Sequence, residues 1–107
     1  MVSRRDIKRY CDEIAAVFKP QRIILFGSHA YGKPHEDSDV DVLVVMPQSR
    51  RMGSRPSLKI RRTVRAGFPV DILVRDPQFI AARLNEGDSF LEEITEKGRV
   101  MYEGSNA

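Results

Sequence analysis

The eight residues Asp39-Val40-Asp41-Val42-Leu43-Val44-Val45-Met46 restrict the possible folds more than any other stretch of this chain. A β-strand turns successive side chains to opposite faces of its sheet. Val40, Val42, Val44 and Met46 then share one face, which must be the core side. Asp39 and Asp41 project together from the other, alongside Leu43 and Val45. Two carboxylates held so close repel, and each raises the pKa of the other. A cation between them removes that cost. Carboxylate oxygens suit Mg²⁺ or Mn²⁺, which commonly bridge to substrate phosphates.

A third acid extends the pattern. Asp71 interrupts the β-rich run Phe68-Pro69-Val70-Asp71-Ile72-Leu73-Val74. An ionised carboxylate inside such a run is costly unless it is paired or metal-bound. If this strand neighbours the first, Asp71 completes a three-carboxylate cluster able to hold two metal ions, one of them activating an attacking hydroxyl. Plainer roles stay open for each acid alone. Asp39 can be a turn residue after Glu36-Asp37-Ser38, and Asp71 can pair with Arg22 or Arg75.

Upstream, Gly27-Ser28 follows the apolar run Arg22–Phe26. Glycine lets a backbone approach a ligand closely. Amides at a helix start bind phosphate, and a serine hydroxyl adds a donor. Ten residues separate Ser28 from Asp39.

The remaining pattern predicts alternating helices and strands. Ser3 caps an amphipathic helix carrying Ile7, Tyr10, Cys11, Ile14, Val17 and Phe18, which ends before Pro20. Strands are expected at Arg22–Phe26, Asp39–Met46, Val70–Val74 and Arg99–Tyr102. Residues 47–56 read as a loop, and Ser57–Ala66 as a basic helix. Pro77 opens a helix to about Leu84 with Phe79, Ile80 and Leu84 inward. Asp88 or Ser89 caps a last helix with Phe90, Leu91 and Ile94, closed by Gly98. The expected class is α+β, a mixed sheet of three to four strands with helices packed on one side.

Size and composition set outer limits. The chain's 107 residues are enough for one domain with a modest core, here placed at 1–103 with a frayed tail at 104–107. No apolar run is longer than Val42–Met46, which is far short of a membrane span. The single cysteine, Cys11, fits a core position and a reducing compartment, so a cytoplasmic protein is expected. Net charge is +3, but residues 50–65 hold seven Arg or Lys and no acid. That asymmetry suits a polyanionic partner or substrate, or simply a solvated helix face. His29 and His35, in the connection after Ser28, are expected to face solvent. No His/Cys spacing suggests zinc, and no aromatic-interleaved basic stretch suggests a sequence-specific nucleic-acid reader.

Gly27-Ser28, ten residues, Asp39-Val40-Asp41, and Asp71 in a later strand together resemble the nucleotidyltransferase superfamily that includes DNA polymerase beta. Over about residues 5–103 the chain is similar to its smallest branch, the minimal nucleotidyltransferase (MNT) domain. That likeness includes the ending Ser89-Phe-Leu-Glu-Glu-Ile-Thr-Glu-Lys-Gly98, followed by Tyr102-Glu103. The resemblance implies a polymerase-beta-like palm and transfer of a nucleoside monophosphate from ATP or another NTP to a hydroxyl. It implies that Asp39 and Asp41 hold two Mg²⁺ ions, and that Asp71 ligates the catalytic one and helps deprotonate the acceptor. Gly27 and Ser28 are implied to grip the β- and γ-phosphates. Many such small proteins resemble antitoxins paired with a helical HEPN ribonuclease toxin, which the resemblance implies they silence by binding and by adenylylating a tyrosine. The implied partner is therefore such a toxin, in a homo- or hetero-oligomer, with RNA reached only through that partner or through the basic segment 50–65. Two alternatives accompany this reading: a non-catalytic binding antitoxin or scaffold, and a transferase acting on small molecules or tRNA ends.

Overall fold

The structure is a computed structural model, and it describes residues 1–47 and 52–104. Elements follow in the order α1 (Arg4–Phe18), β1 (Arg22–Phe26), α2 (Ser28–Tyr31), β2 (Val40–Val45), α3 (Pro56–Thr63), β3 (Val70–Arg75), α4 (Pro77–Asn85), α5 (Ser89–Lys97) and β4 (Arg99–Glu103). The four strands form one mixed sheet in the order β3-β2-β1-β4. β1 runs antiparallel to both β2 and β4, and β2 runs parallel to β3. Parallel neighbours need a crossover, and α3 supplies it.

Local chemistry accounts for the helix ends. The Ser3 hydroxyl accepts the Asp6 amide at 3.1 Å and starts α1. Lys19, in the left-handed region at φ 50°, ends α1 just before Pro20. Asp76 and Asp88 cap α4 and α5 by accepting the amides of Gln78 and Leu91. α3 stops at Thr63, three residues before the end expected from sequence, because Val64 already takes up extended backbone.

Period-two geometry gives each sheet face its own core. On the first, Ile23, Leu25, Val40, Val42, Val44, Val70, Ile72 and Val74 pack with Ile7, Tyr10, Cys11 and Ile14 of α1 and Ile60 of α3. On the second, Ile24, Phe26, Leu43 and Val45 pack with Ile80 of α4 and Leu91 and Ile94 of α5. The α+β class and the four-stranded mixed sheet agree with the sequence reading. Helices lie over both faces rather than one, because Leu43 and Val45 are as apolar as the valines between them and demand cover of their own.

Smaller expectations also shift. Phe79 is 48% exposed rather than inward. α4 has only nine residues, and one apolar stripe, Ile80 and Leu84 four positions apart, meets the sheet. Phe90 is half exposed and meets Phe26 edge-on at 5.8 Å. Gly104, assigned to the tail, donates its amide to the Gln21 carbonyl at 2.8 Å. Residues 105–107, and 48–51 of the expected loop, lie outside the described residues. Cys11 is fully buried, and burial pushes its thiol up to about 12. No described helix is long and apolar enough to cross a membrane.

Candidate active site

The site lies where the second face runs out of cover. Pairing aligns Phe26 of β1 with Asp41 of β2, and Asp41 with Asp71 of β3. Residues in register across neighbouring strands present side chains to one face. Phe26, Asp41 and Asp71 therefore form a single row. The next row on this face is Ile24, Leu43 and Leu73, and the last is Arg22, Val45 and Arg75. α4 and α5 cover the apolar rows, and the carboxylates occupy the end they leave open. Asp41 is half-buried, whereas Asp39 and Asp71 are exposed.

This register decides among the roles open to Asp71. Arg75 lies four residues further along β3, about 13 Å away at strand rise, and Arg22 lies in the same distant row. Asp71 forms no ion pair with either; the Arg75 guanidinium instead donates to its neighbour's carbonyl, that of Val74. The third acid faces Asp41, not an arginine.

The electrostatics follow from that neighbour. Burial, then the charges of Asp71 and Asp39, push the Asp41 carboxyl above its ordinary value of 3.8, and a hydrogen bond with Asp71 adds to the rise. His29 pulls in the opposite direction. A half-buried carboxyl crowded by two like charges has an unmet demand for a cation. Among the described residues no group of three or more His, Cys, Asp or Glu side chains is closed into a ready cage. Mg²⁺ is usually held by one or two carboxylates together with substrate phosphates, and Asp41 and Asp71, in register, are the pair present here. The hard oxygen donors here fit such an ion.

Gly27 sits against the same carboxylate. Its φ is 74°, and a Cβ added to it would strike Asp41 Oδ2. The position therefore needs glycine both for backbone conformation and for the close approach. Its carbonyl accepts the amides of Ala30 at 3.0 Å and Tyr31 at 3.1 Å, starting the single turn of α2. Amides in a first turn have no partner within the helix, so those of Ser28 and His29 open beside the acids. A Cβ at Gly32 would come within 2.7 Å of Ser28 Cα, so the turn is closed tightly from behind as well.

Sequence reasoning missed one residue of this neighbourhood. His29, expected in solvent, is 6% exposed, and its Nε2 lies 3.2 Å from the Ser38 carbonyl. It thereby ties the turn after Gly27 to the residue just before Asp39. Its place in a one-turn helix directly after Ser28 was the available signal, but only the returning chain shows what buries it. His35 is exposed, as expected, with its amide on the Ser38 hydroxyl at 2.9 Å.

The basic helix packs on the other face of the sheet. Ile60 of α3 sits in the first core, so α3 lies on the face opposite the carboxylates.

With this geometry in place, comparison with known proteins is informative. The family model described as nucleotidyltransferase domain matches residues 4–101. The chain belongs to the nucleotidyltransferase domain family. One proposed protein adenylyltransferase of Methanocaldococcus jannaschii is 31% identical over 94 residues, covering 86% of this chain and 91% of the relative. A second from the same organism is 27% identical over 104 residues, covering 95% and 100%. Among solved structures, a proposed nucleotidyltransferase from Sulfolobus solfataricus superposes with TM-score 0.60 at 21% identity, over 92% of this chain and 78% of that one. A chain of a toxin–antitoxin complex with AMP-PNP superposes with TM-score 0.56 at 18% identity, over 92% and 75%. These structures establish the fold, and the family match with the sequence relatives makes the protein a nucleotidyltransferase.

Proposed function

We propose that this nucleotidyltransferase moves AMP from ATP to a hydroxyl of a partner protein, a tyrosine of a HEPN-type toxin, and so acts as its antitoxin. The observation that carries the reading is the row in which Asp41 meets Asp71, with Gly27 packed against the Asp41 carboxylate. The names of the sequence relatives favour a protein acceptor, and the toxin–antitoxin neighbours favour a toxin as that protein.

In this reading Asp39 and Asp41 hold Mg²⁺, with Asp71 as a further ligand. When bound, the metal supplies positive charge that offsets the triphosphate and the departing pyrophosphate. The Ser28 hydroxyl and the amides after Gly27 hold the β- and γ-phosphates. Asp71 orients the acceptor hydroxyl and takes its proton. The acceptor oxygen bonds to the α-phosphorus as the bond to the β-phosphate bridge breaks, and pyrophosphate leaves. His29 keeps the phosphate-binding turn and the Asp39–Asp41 strand in fixed relation.

The test is incubation with Mg²⁺, ATP labelled at the α-phosphate, and the protein encoded beside this one. The expected result is label on a partner tyrosine, lost with Asp39→Asn and with Asp41→Asn. Neutralisation of the partner without label, unchanged by either substitution, would overturn the catalytic reading.

A further inference from the structure

The face opposite the carboxylates carries a charge pattern that nucleotidyl transfer leaves unused. α3 buries Ile60, and Val64 follows it into the same core. Its outer surface presents Arg55, Lys59, Arg61, Arg62 and Arg65, all exposed. Residues 52–65 contain no Asp or Glu. None of the four arginines forms an ion pair with a described residue. The neighbouring helix α1 contrasts with this: Lys8 holds Asp12 at 2.7 Å and Arg9 holds Glu13 at 3.0 Å. Arg9 also donates to the Ala66 carbonyl at 2.7 Å, fixing the segment that follows α3 against α1. Arginines without an ion pair to a described residue, gathered on and beside an anchored helix, create a sustained positive potential.

The arrangement is also periodic. Arg55, Lys59 and Arg62 fall at i, i+4 and i+7, on one side of the helix, and border a groove of about 390 Å³. A rise of 1.5 Å per residue places Arg55 and Arg62 about 10 Å apart along the axis, room for about three successive phosphates of one strand.

Two kinds of polyanion compete for such a surface, and the apolar residues separate them. A protein interface needs a buried apolar or aromatic centre inside its polar rim. Among the described residues the exposed large hydrophobics are Met1, Val17, Phe79, Phe90 and Val100, none of them on this stretch, and the groove's apolar lining is limited to half-buried Leu58 and buried Met52. A phosphate backbone needs no such centre, since it is held by counterion release. The guanidinium fork suits phosphate oxygens. No aromatic side chain is exposed on this stretch to stack on bases.

We infer that the α3 face is a docking surface for the sugar–phosphate backbone of a nucleic acid, read without base specificity, on the side of the sheet away from the nucleotidyl-transfer site. The inference stands independently of the acceptor proposed above.

The test is fluorescence anisotropy with a labelled single-stranded RNA of mixed sequence, about 20 nucleotides long so that it exceeds the footprint of a small domain. With about four arginine–phosphate contacts, log K should fall with log salt at a slope near −3, weakening binding about 50-fold between about 50 and 200 mM salt. The double substitution Arg55→Ser with Arg62→Ser should roughly halve that slope while leaving the melting temperature unchanged, since both side chains are solvent-facing. Asp41→Asn should bind RNA as the parent does. The inference is overturned if RNA does not bind, or if the double variant binds with the parental affinity and slope. It is overturned equally if Asp41→Asn weakens RNA binding, which would place RNA at the transfer site. Poly-glutamate binding as tightly as RNA with the same slope would mark a general acid-binding surface, and would also overturn it.

Discussion

The two faces of the sheet differ in how far their cover extends. On the first, α1 and α3 pack on the sheet, and every β2 residue pointing that way is buried and apolar. On the second, α4 and α5 cover Phe26 and the two rows beyond it, and the end of the first row that they leave open holds Asp41 and Asp71. One strand thus serves both faces: its alternate side chains fill the core on one side and present the carboxylates on the other. Charge can be concentrated on the partly covered face because the fully covered one supplies the burial that stability requires.

Substitutions on either face sharpen the contrast. The largest effect is expected for Asp41→Asn, with transfer falling more than about 100-fold, measured as label incorporated per folded protein. Its stability effect has the opposite sign. In the metal-free protein the Asp41 carboxyl is raised, first by burial and then by Asp71 and Asp39. Its favourable contribution is therefore fully present below the ordinary value of 3.8 and is lost as pH rises through the raised value. The asparagine variant escapes that loss. It should melt above the parent at neutral pH, and the difference should vanish in acid; thermal melts against pH without metal decide this. A variant that melts lower at neutral pH would break the account of a strained, cation-seeking carboxyl.

Next comes the covered face. Leu25 is fully buried there, and Leu25→Ala should cost about 3 kcal/mol in denaturant unfolding while the folded fraction keeps its transfer rate. Loss of activity in the folded fraction would show that the two faces are not separable. Gly27→Ala affects both quantities at once. It forces a side chain into a φ of 74° and onto the Asp41 carboxylate, so about 1–3 kcal/mol of stability and at least about tenfold in transfer should be lost together. The smallest effect is expected for His29→Ala, about 1–2 kcal/mol from the unpaired Ser38 carbonyl. It should lower turnover while nucleotide KM changes little. His29→Gln, which keeps an amide at similar reach, should recover most of that turnover; no recovery would reduce His29 to a space-filling role.

Much of this was legible in the chain. The strand at Val40–Val45 follows from strict alternation, and the capped helices follow from Ser3, Asp88 and the prolines. These are local effects, set by sterics and hydrogen bonds within a few residues. Phe79 misled because periodicity over nine residues does not say how wide a stripe the sheet will accept. His29 misled because its burial depends on Ser38, which returns to it from nine residues away.

The sequence by itself determined that Asp39 and Asp41 share a face of one strand, because side-chain direction in a strand has period two. It also determined that Gly27 precedes a turn and that the cations gather near α3. Only the tertiary structure decided that β2 pairs with β3 in the register that sets Asp71 beside Asp41, that Gly27 closes on that carboxylate, and that the cations lie on the opposite face. The reason is physical: register and layer order are settled by which apolar surfaces bury one another across the whole chain, and no window of neighbouring residues contains that competition.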